Sequence, residues 1–130
     1  MKRSILVTLA VLALATLFLA VPKRASAYRE WAVGEWRLWQ HFSEHHEEQT
    51  FKGRLVIRRF EGHFHGRIYF DVLGEWEHLE DVEVGDETIR FTRPKYGQEF
   101  HGSRHGDRLE GTYRDRLRGD REWTWGAEKD

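Results

Sequence analysis

FKGRLVIRRFEGHFHGRIYF, residues 51–70, decides the fold. Phe51, Gly53, Leu55 and Ile57 alternate with Lys52, Arg54, Val56 and Arg58. After Glu61-Gly62, the residues Phe64, Gly66, Ile68 and Phe70 alternate with His63, His65, Arg67 and Tyr69. A period of two is the mark of a strand with one buried face. Glu61-Gly62 reads as a two-residue hairpin turn. That loop pairs Ile57 with Gly66, Leu55 with Ile68 and Gly53 with Phe70. Every inward residue then meets an inward residue, a match that a one-residue slip destroys. It also lays the Phe70 ring over the bare backbone of Gly53.

The same reading extends outward. A loop at His105-Gly106 pairs Gly102 with Leu109, Phe100 with Gly111 and His101 with Glu110. A Gly85-Asp86 turn pairs Val82 with Ile89 and Asp81 with Arg90. Leu79 breaks the alternation there, which predicts a bulge near Glu80. Val72-Leu73-Gly74 closes a three-residue loop between Phe70 and Trp76, and Pro94-Lys95-Tyr96-Gly97 a four-residue loop between Phe91 and Phe100. Leu117-Arg118-Gly119 turns the chain toward Trp123 and Trp125. Strands are expected near 34–43, 50–59, 63–71, 75–84, 87–93, 98–104, 107–115 and 120–126. Short antiparallel loops join them all. The fold class is therefore all-β: an eight-stranded antiparallel up-and-down meander barrel, with a two-sheet sandwich as the alternative. Closure removes edge strands that would otherwise pair with other chains.

The interior predicted by the alternation is rich in rings: Trp36, Phe51, Phe64, Phe70, Trp76, Phe91, Phe100, Tyr113 and Trp123. Phe51-x-Gly53, Phe64-x-Gly66 and Phe100-x-Gly102 repeat one pattern, which Leu109-x-Gly111-x-Tyr113 extends. Inward glycines let strands coil tightly enough to close a small barrel. They also leave volume that a ligand could fill. The first role is favoured, because small eight-stranded barrels are just wide enough for side chains to fill.

Residues 1–27 have a different composition. Lys2 and Arg3 precede an apolar run from Ile5 to Val21, and Ala25-Ser26-Ala27 supplies a small-x-small cleavage pattern. This is the layout of a secretory signal peptide. The alternative is an uncleaved anchor helix, the one route by which a membrane would be a partner. The expected organisation is a signal peptide over 1–27 and a single small barrel over 28–130, secreted or periplasmic. Without Lys2, Arg3, Lys23 and Arg24, the 21 basic residues fall to 17 against 22 acidic ones, a formal −5. An acidic domain argues against nucleic acid as a partner. The chain has no cysteine, which excludes disulfides, thiolate metal sites and a cysteine nucleophile.

Gly34-Glu35-Trp36-Arg37-Leu38 resembles the Gly-x-Trp opening of the calycin barrels: lipocalins, fatty-acid-binding proteins and the avidin group. The resemblance implies that Trp36 closes the barrel floor beside a basic residue of the last strand, for which Arg121 is the candidate. It implies a ligand entering at the opposite mouth, near Glu61-Gly62 or Pro94 to Gly97. It names no ligand.

Eight histidines are present. His63 and His65, at i and i+2 of a strand, share one face as two imidazole ligands would. His41, Glu44, His45 and His46 gather around the first loop. Arg58 and Arg67 lie on the same face as the His63/His65 pair and oppose a cation. No cofactor motif is present, and no spacing of histidine, acid and nucleophile predicts catalysis. The expectation is a non-catalytic lipocalin-like module for a small apolar or amphipathic ligand or a protein partner. A structural or inhibitor-type barrel with a filled core, or a histidine-based metal binder, is the alternative. Exported protein should begin at Tyr28; an intact mass that retains residues 1–27 would establish the anchor instead.

Overall fold

The computed structural model describes residues 29–130. The predicted signal segment, 1–27, lies outside them. Ala32–Asp130 forms a compact unit and carries the fold. A 3-10 turn spans Arg29–Ala32. Nine strands follow: β1 (Gly34–Glu44), β2 (Glu47–Phe60), β3 (His63–Phe70), β4 (Glu75–His78), β5 (Glu80–Val84), β6 (Thr88–Arg93), β7 (Gln98–His105), β8 (Arg108–Asp115) and β9 (Arg121–Lys129). All pairings are antiparallel, in the spatial order β4-β3-β2-β1-β9-β8-β7-β6-β5. The first strand pairs with the last, Trp36 opposite Lys129 and Gln40 opposite Trp125. The result is a nearly closed meander barrel.

Nine strands replace the expected eight because the segment 75–84 changes partner midway. β4 pairs with β3 and β5 pairs with β6. Between them the Leu79 N–H bonds to Gly66 O at 2.9 Å, and Asp81 takes a positive φ of 52°. The ladder shifts between Glu80 and Glu83, where the alternation predicts a bulge. One chain segment thus borders both sides of the seam, and no continuous backbone ladder zips it.

The β2–β3 register is the one that alternation predicts: Ile57 opposite Gly66, Leu55 opposite Ile68, Gly53 opposite Phe70. Glu61 and Gly62 both have positive φ, as a type I′ hairpin turn requires. Two other registers differ by two residues. Gly102 faces Gly111 and Phe100 faces Tyr113, not Leu109 and Gly111. Ile89 faces Val84 and Arg90 faces Glu83, not Val82 and Asp81. A slip of two keeps every side chain on its face, so alternation cannot detect it. Turn chemistry decides instead: the β7–β8 loop is Gly106-Asp107, with the positive φ on Gly106, the first central position that suits glycine.

The β3–β4 loop has the larger consequence. Phe70 pairs with Glu75, so four residues rather than three close the turn, with Leu73 and Gly74 N–H both bonded to Phe70 O. That single residue exchanges the faces of β4. Trp76, expected inside, is outside and 43% exposed, and Glu77 is buried inside. The Trp76 ring finds partners on the outer wall, with Tyr69 at 5.3 Å and the Arg67 guanidinium at 4.6 Å.

The interior is filled in its lower and middle parts. Leu38, Leu55, Ile57, Ile68, Ile89 and Leu109 are buried, as is Trp36. Above them Phe91, Phe100 and Tyr113 stack in series, 4.8 and 5.1 Å between centroids. Trp125 meets Phe91 and Phe100 edge-on. Each such pair adds roughly 0.5–1.5 kcal/mol beyond its burial. The inward glycines leave no empty space here. A Cβ on Gly102 would lie 2.7 Å from the Trp125 ring, and one on Gly53 or Gly111 would fall on the carbonyl of Tyr69 or His101 in the neighbouring strand. Gly53→Val and Gly111→Val should each cost roughly 1–3 kcal/mol or more, because backbone must move to admit the side chain. Chemical denaturation checks this; unchanged midpoints in both variants would contradict these close strand approaches.

Candidate functional site: the cup at the barrel mouth

The two ends of the barrel are built differently. At the floor, Trp36 is buried, its indole N–H bonds to Ala32 O at 2.9 Å, and Lys129 Nζ lies 5.4 Å from its ring. Arg121 is not its partner. Antiparallel pairing sets the end of β9, not its beginning, against the start of β1. Arg121 and Trp123 therefore belong to the mouth. There Arg121 is exposed opposite Asp115, and Trp123 packs on Phe42 at 4.9 Å and bonds to Ser43 O. Glu61-Gly62 likewise sits at the floor end, since Ile57 pairs with Gly34.

The mouth carries the His45-His46 turn and the loops 71–74, 94–97 and 116–120. It opens into a cup of about 410 Å³. Phe42 and Phe51 from the first hairpin and Phe70, Tyr96 and Tyr113 form its aromatic wall. Val72, Leu73 and Leu117 form an exposed apolar lip, while Gln40, Arg93, Gln98 and Asp115 reach it from below. The volume falls within the ~300–1,000 Å³ range of small-molecule sites. A trough of about 570 Å³ on the outer wall is lined largely by charged residues, Arg37, Lys52, Arg54, Asp71 and Glu128.

The polar base is a continuous bonded chain. Arg93, only 4% exposed, donates from Nε to Glu77 at 2.9 Å and from Nη2 at 2.6 Å. Its Nη1 donates to Gln98 Oε1 at 3.2 Å, which also accepts from Gln40 Nε2 at 2.9 Å. Gln98 Nε2 donates to Asp115 at 3.1 Å, and Asp115 also accepts from the Leu117 N–H. The guanidinium of Arg93 lies 4.5 Å from the Phe70 ring and 4.0 Å from that of Tyr96. Among the described residues no buried side-chain polar atom lacks a partner. At the lip Arg118 bonds to Glu44 at 2.9 Å, stands 3.9 Å from Asp115 and covers the Phe42 ring. Lys95 bonds to Glu75 across the seam. The hydrogen bond between them holds the Glu75 carboxyl below its ordinary value and the Lys95 ammonium above its own.

Of the residues expected inside, Phe91 and Phe100 form the layer beneath the cup, and Phe51, Phe70 and Tyr113 its wall. Phe64 is half-buried near the floor turn, with Arg59 over its ring. His63 and His65 are exposed on the outer wall, where His65 meets Phe60 edge-on. His45 and His46 form the tight first turn, both at positive φ. Among the described residues no three histidines or carboxylates come close enough to hold a metal ion. The sequence matches no protein-family model and no curated protein.

Burial, with the nearby Asp115 carboxylate, pushes the Tyr113 phenol well above its ordinary range. Its O–H donates to His41 O at 2.6 Å. The unfolded chain ionises this phenol near about 10. The neutral phenol therefore favours the fold below that pH, and the contribution is lost as pH rises toward the folded value. The alkaline absorbance titration should contain a step coincident with unfolding that Tyr113→Phe lacks. The variant should also lose roughly 0.5–1.5 kcal/mol at neutral pH with the hydrogen bond. A titration identical to wild type would contradict the buried phenol.

Proposed function

We propose that this chain is an extracytoplasmic, non-catalytic binding module of calycin-like type, whose cup receives a small amphipathic molecule. The carrying observation is the cup itself: about 410 Å³, aromatic-walled, above a filled barrel. Among the described residues the one carboxylate lining the cup, Asp115, already accepts two hydrogen bonds, which favours holding a ligand over moving protons. Export rests on the reading of residues 1–27. Val72, 71% exposed, and Leu117, 74% exposed, favour a second reading, in which a partner protein seats on the lip.

Native mass spectrometry of protein purified from its source should show a retained small molecule. A neutral dialkylaminonaphthalene dye should bind the emptied protein and shift its emission to the blue. Val72→Asp combined with Leu117→Asp should weaken dye binding about tenfold or more through loss of apolar contact, with little change in melting temperature. Absence of both retained ligand and dye binding would leave the structural barrel as the better reading.

A further inference from the structure

The charges at the base of the cup are arranged to cancel. Arg93 has its edge on Glu77 and Gln98, and its guanidinium lies over the Phe70 and Tyr96 rings. It has little left to offer an anion. Asp115 accepts from Leu117 and Gln98 and stands 3.9 Å from the Arg118 guanidinium, so it is not a bare hook for an amine. The further carboxylate, Glu44, lies half in solvent at the lip. What remains toward the cup is the side-by-side carboxamide pair. Gln98 Oε1 is filled by two donors and one Gln98 N–H is used on Asp115, leaving the second N–H. Gln40 spends one N–H on Gln98, leaving its carbonyl and its second N–H. An acceptor and a donor therefore adjoin, with no net charge between them.

We infer that the cup selects an uncharged amphiphile whose polar end carries a donor beside an acceptor, as a primary amide does, with an apolar or aromatic body against the rings above. This rests on the proposed ligand-binding role and sharpens it to a ligand class. A carboxylate head would meet Asp115, and an ammonium would meet Arg93 and Arg118. Either would lose its hydration without gaining a free counter-charge.

Calorimetric titration with phenylbutyramide, phenylbutyrate and phenylbutylamine tests this at neutral pH, because the three differ only in the head. The amide should bind at least about tenfold tighter than either charged compound, a difference expected where an ion is desolvated without a partner. The carboxylate should be weakest. Arg118→Gln, at an exposed lip position, should raise affinity for the amine by uncovering Asp115. Tightest binding of phenylbutyrate or of phenylbutylamine by wild type would overturn the inference while leaving the cup as a binding site. Equal binding of all three would do the same, because the head would then not reach the base. No gain in amine binding by Arg118→Gln would refute the charge balance assigned to Asp115. Failure of all three compounds and of the naphthalene dye would remove both this inference and the binding role.

Discussion

The buried ion pair between Arg93 and Glu77 holds the open side of the barrel. The backbone ladders run from β4 round to β5, and β4 and β6 share none. Across that gap a guanidinium and a carboxylate meet in two hydrogen bonds, with both groups nearly excluded from water. Taking two charges out of water costs several kcal/mol per ion, so such a pair persists only with good geometry and its remaining valences filled. Here Gln98 takes a further guanidinium proton, while Phe70 and Tyr96 flank the cation. The exposed Glu75–Lys95 pair repeats the bridge closer to solvent, where it contributes little.

The polar layer around this pair also separates the filled barrel from the cup. On one side the stacked rings of Phe91, Phe100 and Tyr113 occupy the axis. On the other, Arg93, Gln98, Gln40 and Asp115 cannot be covered by apolar side chains without partners of their own. They have bonded to one another and left the space above them open. The polar layer is at once the closure of the seam and the base of the candidate site, so the two share the same four side chains and Glu77.

Much of this architecture is legible in the alternation of residues 51–70 and its echoes: an all-β meander, the β2–β3 register, the bulge by Glu80, and the turn at 94–97. What escaped has definite physical causes. Registers that slip by two leave each face unchanged, so Gly102 against Gly111 follows only from the turn glycine at 106. The polar base escaped because a three-residue loop after Phe70 and a four-residue one are equally plausible on composition, yet they send opposite faces of β4 inward. With the shorter loop Trp76 fills the core and Glu77 is one more surface acid. With the observed loop Glu77 meets Arg93. A signal was present: Arg93 falls on the inward phase of Ile89 and Phe91, and an inward arginine demands a buried acid. Trp36 lies buried at the floor, and its cationic neighbour is Lys129 rather than Arg121, because β9 runs opposite to β1.

The most direct test of the seam is a double-mutant cycle by equilibrium denaturation with Glu77→Leu, Arg93→Met and the combination. If the pair closes the barrel, each single change strands a buried charge and costs roughly 3–5 kcal/mol. The double variant should then lose less than the sum, with a coupling of about 1–3 kcal/mol. Strictly additive losses would show that the two side chains do not depend on each other, and would contradict this account of how the barrel is held shut.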